Sequence, residues 1–224
     1  MHKLTSSLLA AAAGVLTLAA TGAQAQVRIT EVAPWASGNA PYTTDWFELT
    51  NFGSNAVSLS GWTMDDSSNG SAKVALSGIG SIAAGESVIF TENAAAASFL
   101  STWFGANALA SLKIGTYTGA GVGLSTGGDA VNIFNASGVL QANVSFGTAD
   151  ATSPYQTFDN AAGLNGVTIS QLSVVGVNGA FVAANDVAEI GSPGSISAVP
   201  EPENLALALA ALGVIGLVAR KRQA

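Results

Sequence analysis

The sequence predicts an all-β protein: a β-sandwich carrying one short helix, set between two terminal apolar segments. Three observations lead there. Short runs of alternating or β-branched apolar residues recur along the middle of the chain. Turn residues punctuate those runs, with 26 Gly and 6 Pro among 224 residues. Charged residues make up only 9% and apolar residues 49%, which favours a packed core over disorder.

Residues 1–25 read as a secretory signal peptide. His2 and Lys3 form the positive start, residues 8–20 the apolar stretch, and Ala23-Gln24-Ala25 a small-x-small cleavage site. Gln26 is then the first residue of the mature protein.

Cleavage would remove His2, the only histidine, and there is no cysteine at all. That excludes Ser-His-Asp catalysis, histidine-ligated zinc, thiolate nucleophiles and a disulfide framework. The domain at 26–198 must be stable by core burial alone, and its length suffices. It carries three cations (Arg28, Lys73 and Lys113) against twelve anions, a net charge of −9. Nucleic-acid binding needs a cationic footprint, so that partner is excluded.

Within the domain, 27–32 is a short β-branched strand. In 44–51, Asp45, Phe47 and Leu49 share one face and Trp46, Glu48 and Thr50 the other. A turn follows at 52–55. Val57 and Leu59 have the opposite parity to Trp62 and Met64, and a bulge at Ser60-Gly61 would bring all four inward. A polar loop at 65–70 leads towards the next strand, 86–91, which enters from an Ala84-Gly85 turn. Asn93 is positioned to cap a helix over 94–104, with Phe99, Leu100, Trp103 and Phe104 inward and Gly105 as its stop. After a Gly-rich region at 120–128, strands 129–135 and 139–146 form a hairpin around Ala136-Ser137-Gly138. A late strand at 167–175 and the turn Gly191-Ser192-Pro193-Gly194 end the domain. Many short strands with one helix indicate a sandwich.

The order of residues also resembles a family. Ile29-x-Glu31-Val32, Asp45-Trp46-Phe47-Glu48-Leu49-x-Asn51 and Val57-x-Leu59-Ser60-Gly61-Trp62-x-Met64-x-Asp66 look like the start of a lamin tail domain. Ile82-x-x-Gly85-Glu86-x-Val88-Ile89-Phe90, Leu124-x-x-x-Gly128-Asp129-x-Val131-x-Ile133, Val144-x-Phe146-Gly147 and Ser192-Pro193-Gly194 continue the pattern. Gln171 departs from it, where bacterial relatives often have Arg. The resemblance implies an immunoglobulin-like sandwich over about 27–194. It implies an accessory module of the kind that accompanies surface proteins and secreted hydrolases, with no catalytic residues to carry over.

Residues 199–224 have three parts in order. Val199-Pro200-Glu201-Pro202 is held extended by its prolines. Residues 205–219 are apolar on every side and would span roughly 22 Å as a helix, short of a bilayer core unless the flanking stems snorkel. Arg220, Lys221 and Arg222 form a basic stop that holds the C-terminal side in the cytoplasm. This tail is similar to the sorting signal of bacterial PEP-CTERM proteins. The similarity implies recognition by an exosortase, a membrane-embedded cysteine peptidase, a transient stay in the inner membrane, and passage to the cell surface or beyond. The alternatives are a plain C-terminal anchor and an apolar helix buried in the domain, the latter disfavoured by three cations after a Pro-rich hinge.

The acidic residues offer little chemistry. Asp45 and Glu48 lie on opposite strand faces and cannot form a catalytic pair by themselves. Asp65-Asp66-x-x-Asn69 supplies hard oxygens for Ca²⁺ without EF-hand spacing, or else satisfies its own turn. Asp129 reads as a turn-closing residue. Trp35, Tyr42, Tyr117 and Tyr155, placed in loops, are stacking positions for a glycan or rim packing. No catalytic residue, metal ligand or cofactor is assigned. The resulting expectation is a non-catalytic surface or matrix module, with extracellular polysaccharide as its candidate ligand. The alternative is a small secreted hydrolase of extracellular polymers using carboxylates or a Ca-type metal.

Overall fold

The computed structural model describes residues 27–34, 44–67, 73–107, 110–119, 121–149 and 153–195. In chain order the strands are β1 (Val27–Ala33), β2 (Trp46–Asn51), β3 (Val57–Ser58), β4 (Thr63–Asp65), β5 (Val74–Ala75), β6 (Ser81–Ile82) and β7 (Ser87–Glu92). Helix α1 (Ala96–Phe104) precedes β8 (Lys113–Tyr117), β9 (Asp129–Phe134) and β10 (Leu140–Phe146). Last come β11 (Tyr155–Gln156), β12 (Phe158–Asp159), β13 (Val167–Ile169), β14 (Phe181–Ala183) and β15 (Asp186–Gly191).

Two five-stranded sheets make the sandwich, one ordered β12-β1-β2-β7-β8 and the other β13-β10-β9-β4-β5. A three-stranded sheet, β11-β15-β14, and the β3-β6 pair complete the described residues. The alternation of β2 decides the layering. Phe47 stacks on Phe90, its register partner in β7, at 5.7 Å and meets Tyr117 at 5.5 Å. Trp46 points the other way, against Phe99 and Trp103 of α1 at 5.3 and 5.7 Å. Every residue of β2 is therefore buried, one face in the sandwich core and the other under added structure.

Helix α1 exists because β7 and β8 run parallel, and a parallel pair needs a crossover. Its Phe99 and Trp103 are buried and its Leu100 and Phe104 half-buried, the expected inward side. Gly105, at φ +55°, caps its C-terminus. Asn93 does not cap its start: it takes a left-handed turn (φ +58°) and Ala95 becomes the N-cap, with no side-chain hydrogen bond.

Val57, Leu59, Trp62 and Met64 are all buried, but no bulge brings them inward. The Trp62 amide donates to the Leu59 carbonyl (3.0 Å) across a β-turn with Gly61 at φ +75°. That turn moves the chain from the β3-β6 pair into the sheet of β4 and β9, so parity changes with the sheet. The β9–β10 hairpin forms as expected around Ala136-Ser137-Gly138. The late strand is shorter than expected. β13 covers only Val167–Ile169, followed by an isolated bridge from Leu172 to Phe158.

Candidate functional site

β1 carries a register irregularity between Ile29 and Glu31. The extra residue lets Thr30 and its neighbour Glu31 both reach the outer face of the sheet, where Glu31 stands opposite Glu48 of β2. Both carboxyl side chains are buried, at 0% and 2% exposure. Each holds a different part of the closing segment. Glu31 Oε1 accepts from the Ser192 amide (2.7 Å) and the Thr157 hydroxyl (2.5 Å). Glu48 Oε2 accepts from the Gly194 amide (2.7 Å), and its Oε1 from the Thr30 hydroxyl (2.6 Å). Hydroxyl contacts continue from Thr30 to Thr50 (2.9 Å) and from Thr50 to Ser87 (2.6 Å), tying β1, β2 and β7 together.

Gly191 permits the approach. A Cβ there would lie 2.7 Å from Glu31 Oε1 and 2.8 Å from the Trp103 ring. The Ser192-Pro193-Gly194 turn is therefore laid directly over two acids.

Two like charges side by side in a dry site are costly to ionise. Burial, then repulsion from Glu48, pushes Glu31 up to about 8, against the hydrogen bonds of Thr157 and Ser192. Burial likewise raises Glu48 to about 7, opposed by Thr30, Gly194, Ser87 and Thr50. Glu31 Oε2 has no hydrogen-bond partner, which further disfavours the charged form. The two protons belong to the pair, and near neutral pH the site retains at least one of them.

Beside Glu48 a cavity of about 10 Å³ is lined by Thr30, Thr50, Phe52, Ala161, Asn178, Ser192 and Ser195. A volume of that order holds about one water and no sugar ring.

Asp45 and Glu48 face opposite ways, as the strand alternation requires: Asp45 Oδ2 accepts from the Leu124 amide (2.8 Å). Asp65 Oδ1 accepts from the Asp66 amide, and Asp129 accepts from the amides of Ser67, Ser125 and Ala130. These carboxylates organise their own turns. Among the described residues no group of three His, Cys, Asp or Glu is placed to hold a metal. Asn69 lies outside the described residues.

Two of the expected loop aromatics are not in loops. Tyr117 ends β8 at 1% exposure, and its hydroxyl is raised well above the usual tyrosine range by burial and then by Asp45, Glu92 and Asp129. Tyr155 is half-buried in β11. Trp35 and Tyr42 lie outside the described residues. So do the cleavage site at Ala23, Ala25 and Gln26, the motif from Val199 to Pro202, the apolar run 205–219 and the cations Arg220, Lys221 and Arg222. Among the described residues no helix is long and apolar enough to cross a membrane.

Sequence reasoning missed the Glu31–Glu48 pair, because it compared acids within one strand and the pair spans two. The available signal was a glutamate inside each of two neighbouring strand-like segments.

The family model of the Lamin Tail Domain matches residues 20–148, more than half of the chain. No curated protein and no solved structure matches. The matched segment ends before β11, and the remaining described strands complete the same body: β12 pairs with β1, and β13 with β10. An immunoglobulin-like sandwich of this kind is a binding or structural module, and by its matched residues the chain belongs to the lamin tail domain family.

Proposed function

We propose that this chain is an exported, non-catalytic surface module, delivered by a signal peptide at 1–25 and sorted through its last residues by an exosortase-type peptidase. The carrying observation is the order of parts after Ser195. The extended Pro200-Glu201-Pro202 comes first, then the apolar run 205–219, then Arg220, Lys221 and Arg222. The clasp by Glu31 and Glu48 is consistent with this reading, because it fastens the end of the described domain, at Ser192 and Gly194, ahead of the motif in the sequence. The domain then stands outside the inner membrane while the tail is held in it, and afterwards at the cell surface or outside the cell. Its role there is adhesive or structural, with extracellular polysaccharide as the ligand class.

A hydrolase of extracellular polymers would need an acid pair open to substrate. The pair found here is buried, and the cavity beside Glu48 has room for about one water, which favours the non-catalytic reading.

Changing Pro200 and Pro202 to Ala removes the extended bias and leaves the apolar run intact. Fractionation of the host should then find the protein membrane-bound and unprocessed. Neutralising Arg220, Lys221 and Arg222 should instead let a share of chains pass through unanchored. A double-proline variant released like the wild type would refute sorting and leave a plain anchor.

A further inference from the structure

We propose that the loops 160–166 and 174–180 rest on the surface of the bilayer that holds residues 205–219, bringing Leu164, Val174, Val175 and Val177 against lipid. This deepens the anchoring reading above and rests on it.

The chain leaves the described fold beside these two loops. The Ser195 hydroxyl donates to the Gly179 carbonyl (3.3 Å), and Ala161, Asn178 and Ser195 line one cavity. Asn178 in turn donates to Asp159 Oδ2 (2.7 Å), where the first loop departs from β12. Among the described residues, four of the eight exposed large apolar side chains sit on these two loops: Leu164 (53%), Val174 (53%), Val175 (52%) and Val177 (43%).

Charge points the same way. No charged residue occurs between Asp159 and Asp186, although the exported part is strongly acidic. Asp159 itself is buried, its carboxylate accepting from the Ala161 amide and from Asn178. An acidic domain approaches a bilayer at least cost through a surface without charge, and exposed valines there lose water on contact.

The tether enforces proximity. Nine residues, 196–204, join Ser195 to the apolar run, at most about 36 Å when fully extended. The domain is thus confined near the surface, where weak apolar contacts are formed at high effective concentration.

Because the chain has no cysteine, Val175→Cys and Val187→Cys each give one labelling position. Val187 is 83% exposed at the far end of the β14–β15 hairpin from loop 174–180, near Ala184 and Asn185, whose amides donate to α1 carbonyls. The full-length chain, carrying an environment-sensitive dye at either position, is reconstituted into phosphatidylcholine–phosphatidylglycerol vesicles. The dye at 175 should shift its emission to the blue and be quenched by nitroxide-bearing lipid, equally at low and high salt. The dye at 187 should remain water-like. A chain that floats with the vesicles while the dye at 175 stays water-like overturns this inference alone. Equal changes at both positions, or a signal abolished by salt, overturn it too. A chain that fails to float with the vesicles overturns the anchoring reading and this one together.

Discussion

Glu31 stands opposite Glu48 across the β1–β2 ladder, and between them the two buried carboxyls hold the backbone amides of Ser192 and Gly194. The segment beyond the family match is fastened to the matched sheet at this point. An amide hydrogen bond to a carboxylate is strong, but the pair must be kept from ionising together. The domain's closure and its response to pH therefore have one origin.

The pair makes stability fall as pH rises. Both glutamates titrate near 4.5 when unfolded and are raised to about 8 and about 7 in the fold. Between those limits the native state binds more protons than the unfolded state, so the contribution is full below about 4.5 and lost as pH climbs through about 8. Thermal melting should give a higher midpoint near pH 5.5 than near pH 8.5. Glu31→Gln, which cannot ionise, should flatten that slope. Equal slopes in the variant and the wild type would contradict the assignment.

Gly191→Ala should destabilise the domain. Its added Cβ would meet Glu31 Oε1, the Trp103 ring and Thr157 Cγ2, all within 3 Å. Overpacking of this kind costs about 1–3 kcal/mol. Chemical denaturation reads the loss as a lower midpoint. Gly147→Ala is the control, since a Cβ at that position meets nothing within 4 Å.

Much of this fold is legible in the residues. The alternation of 46–51 predicts β2 and the opposed faces of Phe47 and Trp46, and the Ala136-Ser137-Gly138 turn predicts the β9–β10 hairpin. The helix is legible from Phe99, Trp103 and Gly105, because local spacing and a stop residue suffice. The clasp is not, because the shift at Ile29/Glu31 breaks the period by which a strand's faces are assigned. β11, β12 and β14 are two or three residues long, too short to show any period. Asn93 has the chemistry of a cap, but the parallel crossover turns it left-handed, a conformation set by tertiary packing.

Trp62→Ala should cost about 3–5 kcal/mol, because the ring is 6% exposed in the hydrophobic core and its removal leaves a cavity. The melting midpoint of the variant should drop well below that of the wild type. An unchanged midpoint would contradict the inward placement that follows the turn at Gly61.

The most direct test of the account is the intact mass of the protein recovered from the surface or medium of its host. Export and sorting predict a chain that begins at Gln26 and ends near Pro200-Glu201-Pro202, without residues 205–219. A surface form that retains residues 205–224, or that still begins at Met1, would contradict it.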